Sequence, residues 1–309
     1  MPQFSGIIPP VVTPLRTFDQ LDLSAVEHIV GHLLSGGVNG LFVLGTTGEG
    51  PSLNYQIRYE MVERTCEVVK GNAPVLVGVT DTSLQESIDL ARHAASSGAA
   101  AVVAAAPYYF QTSQKAVFDW FTALADASPL PLMLYNMPGC VEIVLSLDTI
   151  ERLSAHDNIV GVKDSGGDLS YFRQLCQQFQ HEDFAVFMGP EELIPQAVEA
   201  GADGGVCGGG NLLPSVYVKL FNAAKNGDAA EIKRLVAIVD QMFQHIYKCP
   251  NGNMNLIPAL KYAMSQAGLC SNVIAPPLLE PSPEHLSQIR SQLPDLLSTS
   301  MSPLSMIEV

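Results

Sequence analysis

Apolar residues recur along this chain in two alternating patterns. Short unbroken runs of β-branched and aliphatic residues occupy positions 40–45, 74–79, 100–106, 130–136, 159–164, 184–189 and 204–208. Such runs lack the apolar/polar alternation of a half-exposed strand and fit strands of a parallel sheet covered on both faces. Between them lie amphipathic stretches with helical spacing at 22–35, 54–70, 83–97, 114–127, 147–153, 170–179, 191–200 and 215–224. A proline-rich apolar segment at 6–14 precedes them and reads as the first strand, and an N-cap residue near Asp22 opens the first helix. Eight strand–helix units repeated every 20–30 residues predict a (β/α)8 TIM barrel over residues 1–226.

Beyond Gly227 the rhythm changes. Positions 228–247, 253–267 and 283–297 carry helical patterns with no strand between them. They predict a three-helix C-terminal appendage over 227–297, followed by a flexible tail over 298–309.

Composition narrows the possible partners. The net charge of −15 disfavours nucleic acid and anionic membrane surfaces. An anionic substrate would therefore need a local array of backbone amides and hydroxyls. The six cysteines form no C-x-x-C pair and the seven histidines show no metal spacing, so reduced thiols and no metal site are expected. With neither a secretory signal pattern nor a run of about 20 apolar residues, a soluble cytoplasmic protein is expected.

In a barrel of this kind the residues just past each strand form the active site. The sixth strand, Ile159-Val160-Gly161-Val162-Lys163-Asp164, ends on a lysine. Lys163 reads either as a solvated strand-end charge or as a desolvated amine able to form a Schiff base with a carbonyl substrate. The second strand ends in Gly45-Thr46-Thr47-Gly48-Glu49-Gly50, the fourth in Pro107-Tyr108-Tyr109 and the fifth in Tyr135-Asn136-Met137-Pro138. The glycine-rich segment is either a plain turn or a carboxylate cradle. Each tyrosine is either a rim residue or a proton carrier. An amine, two phenols and a hydroxyl pair at strand ends of one face favour the chemical reading. Lys70, Lys219 and Lys261 lie in helical stretches and are expected to be solvated.

These motifs, in this order and spacing, resemble those of the dihydrodipicolinate synthase/N-acetylneuraminate lyase family, pyruvate-using class I aldolases, over about residues 6–297. The resemblance implies catalysis through an imine on Lys163. Tyr135 would shuttle protons, with Thr46 relaying them to Tyr109, which would reach into a neighbouring subunit. Substrate binding would fall to Gly45, Thr46, Thr47, Ser165, Gly189, Val206, Glu191 and Glu192. No metal or diffusible cofactor is implied, and the partners are a small 2-oxo acid, an aldehyde and further copies of the chain in a homodimer or homotetramer.

Two departures bear on the second substrate. Cys140 stands where the synthases of the family carry an arginine that holds a substrate carboxylate. Gly189-Pro190-Glu191-Glu192 resembles the acidic pair with which sialic acid lyases bind polyol hydroxyls, but Gly208 replaces their serine. The reading is thus a lyase or aldolase whose aldehyde half is hydroxylated or sugar-acid-like. Dihydrodipicolinate synthesis, dehydration of a 2-oxo-3-deoxy acid and a non-catalytic 2-oxo acid sensor are the alternatives.

Overall fold

The computed structural model describes residues 4–180 and 183–300. Eight parallel strands form its central sheet: β1 (Gly6–Ile7), β2 (Leu41–Val43), β3 (Val75–Gly78), β4 (Ala101–Ala105), β5 (Leu132–Asn136), β6 (Ile159–Asp164), β7 (Ala185–Met188) and β8 (Gly204–Gly205). From β2 to β8 each pairs with the next in sequence, and β8 pairs with β1. The sheet closes where Phe42 donates its N–H to the Pro9 carbonyl and Val11 donates to the Phe42 carbonyl, at 3.0 and 2.8 Å. The (β/α)8 barrel expected from the sequence is the observed fold. Its strands are buried throughout, apart from half-buried Val160, as the apolar runs required.

Helices α1 (Leu23–Ser35), α2 (Tyr55–Val69), α3 (Leu84–Ser96), α4 (Gln114–Ala127), α5 (Leu147–Ser154), α6 (Leu169–Phe179), α7 (Ile194–Glu199) and α8 (Pro214–Asn226) connect the strands. Polar residues start most of them. The side chains of Asp22, Asn54, Ser83, Ser113, Ser146 and Asp168 accept backbone N–H groups from the first turns of α1 to α6, satisfying donors that have no partner inside a helix. The extension contains α9 (Ala229–Met242), a π-helical turn at Phe243–Tyr247, α10 (Leu256–Gln266) and α11 (Pro283–Ser300).

Several boundaries differ from the sequence reading. The first strand is two residues long because Pro9, Pro10 and Pro14 have no N–H to donate to a ladder. The eighth ends at Gly205, and Gly208–Asn211 form a 3-10 turn. The helix expected from Glu191 starts as a 3-10 turn, Glu191–Leu193, because the Glu191 carboxylate turns inward to take the N–H of Gly209 at 2.7 Å. An antiparallel hairpin, Leu15–Thr17 with Gln20–Leu21, was not foreseen. The last helix runs on to Ser300, with the Ser298 and Thr299 hydroxyls donating to the Asp295 carbonyl at 2.9 and 2.8 Å, so the expected tail does not begin at 298. Its remainder, 301–309, lies outside the described residues.

At the exit of β2 the chain is held in an uncommon conformation that shapes the site. Leu44 has φ 59°, left-handed for a bulky residue, at a cost of roughly 1–2 kcal/mol. Two glycines make room for it. A Cβ at Gly78 or Gly50 would lie 2.4 or 2.1 Å from the Leu44 carbonyl oxygen. Gly78→Ala is therefore expected to lower stability by at least about 2 kcal/mol. Chemical denaturation of the two proteins checks the effect.

Candidate active site

Parallel register places the central pair. Tyr135 on β5 lies opposite Lys163 on β6, and the next pair along is Asn136 with Asp164. Lys163 is 4% exposed, and its Nζ lies 4.1 Å from the centre of the Tyr135 ring and 5.3 Å from that of Phe42. Among the described residues it makes no ion pair. The solvated-charge reading of Lys163 fails: this amine is packed between aromatic faces.

Tyr135 is in turn held by the glycine-rich loop. Its hydroxyl and Thr46 Oγ1 are 3.3 Å apart. The loop closes on itself through Glu49 N–H to the Thr46 carbonyl, at 3.0 Å, and Gly50 N–H to the Gly45 carbonyl, at 3.2 Å. Thr13 Oγ1 donates to the Gly48 carbonyl at 2.7 Å. So the hydroxyl pair sits on a rigid turn.

A cavity of about 380 Å³ opens above the amine. Thr46, Thr47, Tyr135, Lys163, Ser165, Gly189, Glu191, Glu192 and Val206 line it, while Gly45 does not. Phe243, Tyr247, Leu256 and Ile257 complete the wall from the C-terminal extension, a contribution that the sequence reading missed. Their hydrophobic spacing looks like ordinary helix packing, so nothing in the sequence marked them. A second cavity, of about 190 Å³, lies on the other side of Tyr135 and Met137, with Phe42, Gly45, Thr80, Tyr108 and Cys140 in its lining. In the two linings Lys163 is the single cationic side chain.

The acidic pair after β7 divides its roles. Glu191 is buried, and its Oε1 accepts from the Tyr217 hydroxyl at 2.6 Å while Oε2 accepts from Gly209. Burial raises its pKa, outweighing the opposing hydrogen bonds from Tyr217 and Gly209. Glu192 is more exposed and faces the same cavity. Tyr109 stands apart: it is 78% exposed and packs edge-on against Phe110 at 5.0 Å, outside both cavity linings.

Two buried side chains that were not singled out brace the strand ends. Asn136 Nδ2 donates to Asp164 Oδ1 at 2.6 Å, and Asn136 Oδ1 accepts from Leu145 N–H at 3.0 Å. Asn211 joins the segment after β1 to the loop after β8, donating to the carbonyls of Pro10 and Gly208 and accepting from Val12 N–H. For Asn136 the motif Tyr-Asn-x-Pro was the available signal. Asn211 had only its place after three glycines.

The sequence matches the model of the Dihydrodipicolinate synthetase family over residues 3–296. The chain belongs to that family. The structure of dihydrodipicolinate synthase from Bacteroides thetaiotaomicron superposes with a TM-score of 0.91 at 42% identity, covering 96% of this chain and 99% of that one. A probable 2-dehydro-3-deoxy-D-pentonate aldolase of Escherichia coli is 33% identical, over 92% of this chain and 94% of its own length. The structure of an E. coli prophage protein of the same family in complex with pyruvate gives a TM-score of 0.87 at 29% identity, over 96% and 99% of the two chains. Family relatives thus carry both synthase and aldolase names, and the chain is an enzyme of this lyase family. No described helix is long and apolar enough to cross a membrane.

Proposed function

We propose that the chain is a Schiff-base aldolase that joins pyruvate to, or releases it from, an uncharged hydroxylated aldehyde. The observation that carries the reading is the Lys163 amine packed on the ring of Tyr135, whose hydroxyl meets Thr46 at 3.3 Å. The amine attacks the keto carbon of the 2-oxo acid, and water leaves as the iminium forms. Tyr135 supplies and removes the protons of that step, with Thr46 fixing its hydroxyl. In the synthetic direction a methyl proton is lost to give an enamine, which adds to the aldehyde carbon. In the cleavage direction the 4-hydroxyl gives up its proton and the C3–C4 bond breaks. Thr46 and Thr47 hold the carboxylate with backbone and hydroxyl donors, as an acidic protein requires.

Charge argues for the class of aldehyde. A second carboxylate would find no guanidinium in either cavity, and Cys140 offers no bidentate fork. Hydroxyl groups would find Ser165 and the acceptor Glu192. The synthase reading has its own support in the 42% identity to the Bacteroides enzyme. The exposed ledge of Tyr108, Tyr109 and Phe110 fits contact with a second copy, in a dimer or tetramer.

The test is incubation with pyruvate and borohydride followed by mass spectrometry, then an aldehyde panel. A pyruvate adduct on Lys163 and consumption of glyceraldehyde or glycolaldehyde in preference to aspartate semialdehyde is the expected result. Preference for the semialdehyde would establish the synthase instead. Absence of any adduct on folded protein would leave the sensor alternative.

A further inference from the structure

Cys249 and His285 form a pair that the aldolase chemistry does not use. Cys249 lies two residues beyond the π-helical turn, and its Sγ is 3.3 Å from Nδ1 of His285 in the first turn of α11. The other ring nitrogen, Nε2, is 2.8 Å from the Ile246 carbonyl oxygen. A carbonyl can only accept, so Nε2 carries a proton, and in the neutral ring Nδ1 is the acceptor that faces the sulfur. His285 is fully buried, which fixes the ring in this orientation. A thiol, a base within reach and a third group that sets the base's tautomer together make the arrangement of an activated nucleophile.

Cys249 is also partly exposed, on the wall of a surface cavity of about 690 Å³, separate from the two described above. Asn253, Asn255 and Ser282 offer polar contacts there, and Glu280 and Glu284 make the lining acidic. The remaining cysteines have no such base hydrogen-bonded to them among the described residues. Burial pushes the thiols of Cys66 and Cys270 up to about 11, that of Cys176 up to about 12, and that of Cys207 well above its ordinary value. Cys140 is exposed but has no hydrogen-bonded base among the described residues.

We propose that Cys249 is a thiol–disulfide exchange site, with His285 as its proton acceptor and a neutral or cationic low-molecular-weight disulfide as its partner. The Cys249 proton passes to Nδ1 as the sulfur attacks one sulfur of R–S–S–R. The Cys249–S–S–R bond forms, the original S–S bond breaks, and the departing R–S⁻ takes the proton back from the imidazolium to leave as R–SH. The incoming disulfide is the oxidant, so no other electron acceptor is needed. The site adjoins the active site. Cys249 sits in a turn whose ends, Tyr247 and Leu256, line the cavity over Lys163, and the turn is held by Asn255 N–H to the Tyr247 carbonyl at 2.9 Å.

The experiment is reaction of the full native chain with dithiodipyridine at neutral pH. Thiopyridone release is followed against time and the modified peptides are mapped. Cys249 is expected to react first, about tenfold faster than Cys140. Cys249→Ser should remove the fast phase, Cys140→Ser should keep it, and His285→Gln should slow it about tenfold or more. First reaction at Cys140, or a fast phase that survives Cys249→Ser, would overturn the proposal. If His285→Gln does not fold, the ratio of the Cys249 and Cys140 rates in the unsubstituted protein decides alone. Thiopyridone release needs no aldolase turnover, so a failure of the pyruvate reading would not alter this result.

Discussion

Lys163→Ala is expected to abolish the borohydride-trapped pyruvate adduct and to lower turnover by about 10⁴-fold or more, roughly 5 kcal/mol of lost transition-state stabilisation at 1.36 kcal/mol per decade. The loss should be chemical rather than structural. Lys163 makes no ion pair among the described residues, so its removal leaves no carboxylate stranded. The gap between the rings of Tyr135 and Phe42 faces the cavity, where water can enter. Tyr135→Phe gives the useful contrast. It keeps the amine and the ring beneath it but loses the hydroxyl that meets Thr46, so an adduct should still form, with turnover down by about 10²–10⁴-fold. Mass spectrometry after trapping and steady-state kinetics on the three proteins check this order. An adduct of unchanged yield in Lys163→Ala would place the imine elsewhere and remove the basis of the proposed mechanism.

The barrel was legible because parallel strands covered on both faces leave unbroken apolar runs, as in Ala101–Ala105, and because six helix starts announce themselves with capping side chains. Lys163, Tyr135 and the Thr46-Thr47 pair were legible for a related reason. The fold sends every strand end to one face, so chemistry at strand ends can be collected without coordinates. What depended on distant partners was hidden. The expectation that Lys261 is solvated was wrong: it is fully buried and donates to Glu49, 212 residues away, at 2.6 Å. No local pattern distinguishes such a lysine from the exposed ones. Glu191 was half legible. Its resemblance to the acidic pair of sialic acid lyases suggested a ligand contact, while its bonds to Tyr217 and Gly209, from later elements, show a carboxylate already occupied on both oxygens.

Lys261→Met should lower stability by about 3–5 kcal/mol, the cost of leaving one member of a buried ion pair without its partner, and so reduce Tm by roughly 10 °C. Both side chains of the pair are 0% exposed. Burial lowers the pKa of Lys261, with the Glu49 carboxylate opposing that shift. The other Glu49 oxygen accepts the Ala275 N–H at 2.6 Å, so two segments of the extension grip one carboxylate. That carboxylate belongs to the loop carrying Thr46 and Thr47, and Glu49 itself is held at φ 59°. The pair therefore carries the position of the hydroxyl loop as well as stability. Loss of Lys261 should raise the KM for pyruvate more than it lowers kcat, because the amine and Tyr135 stay on their strands. Glu49→Gln/Lys261→Met separates charge from packing. The introduced glutamine amide can still accept from the Ala275 N–H, and the uncompensated charge is gone, so the double variant should recover at least about 1 kcal/mol over Lys261→Met. Denaturant titration and pyruvate kinetics on the two variants measure both effects. A double variant no more stable than the single one would mean that the Lys261 stem, and not its charge, anchors the extension to the barrel.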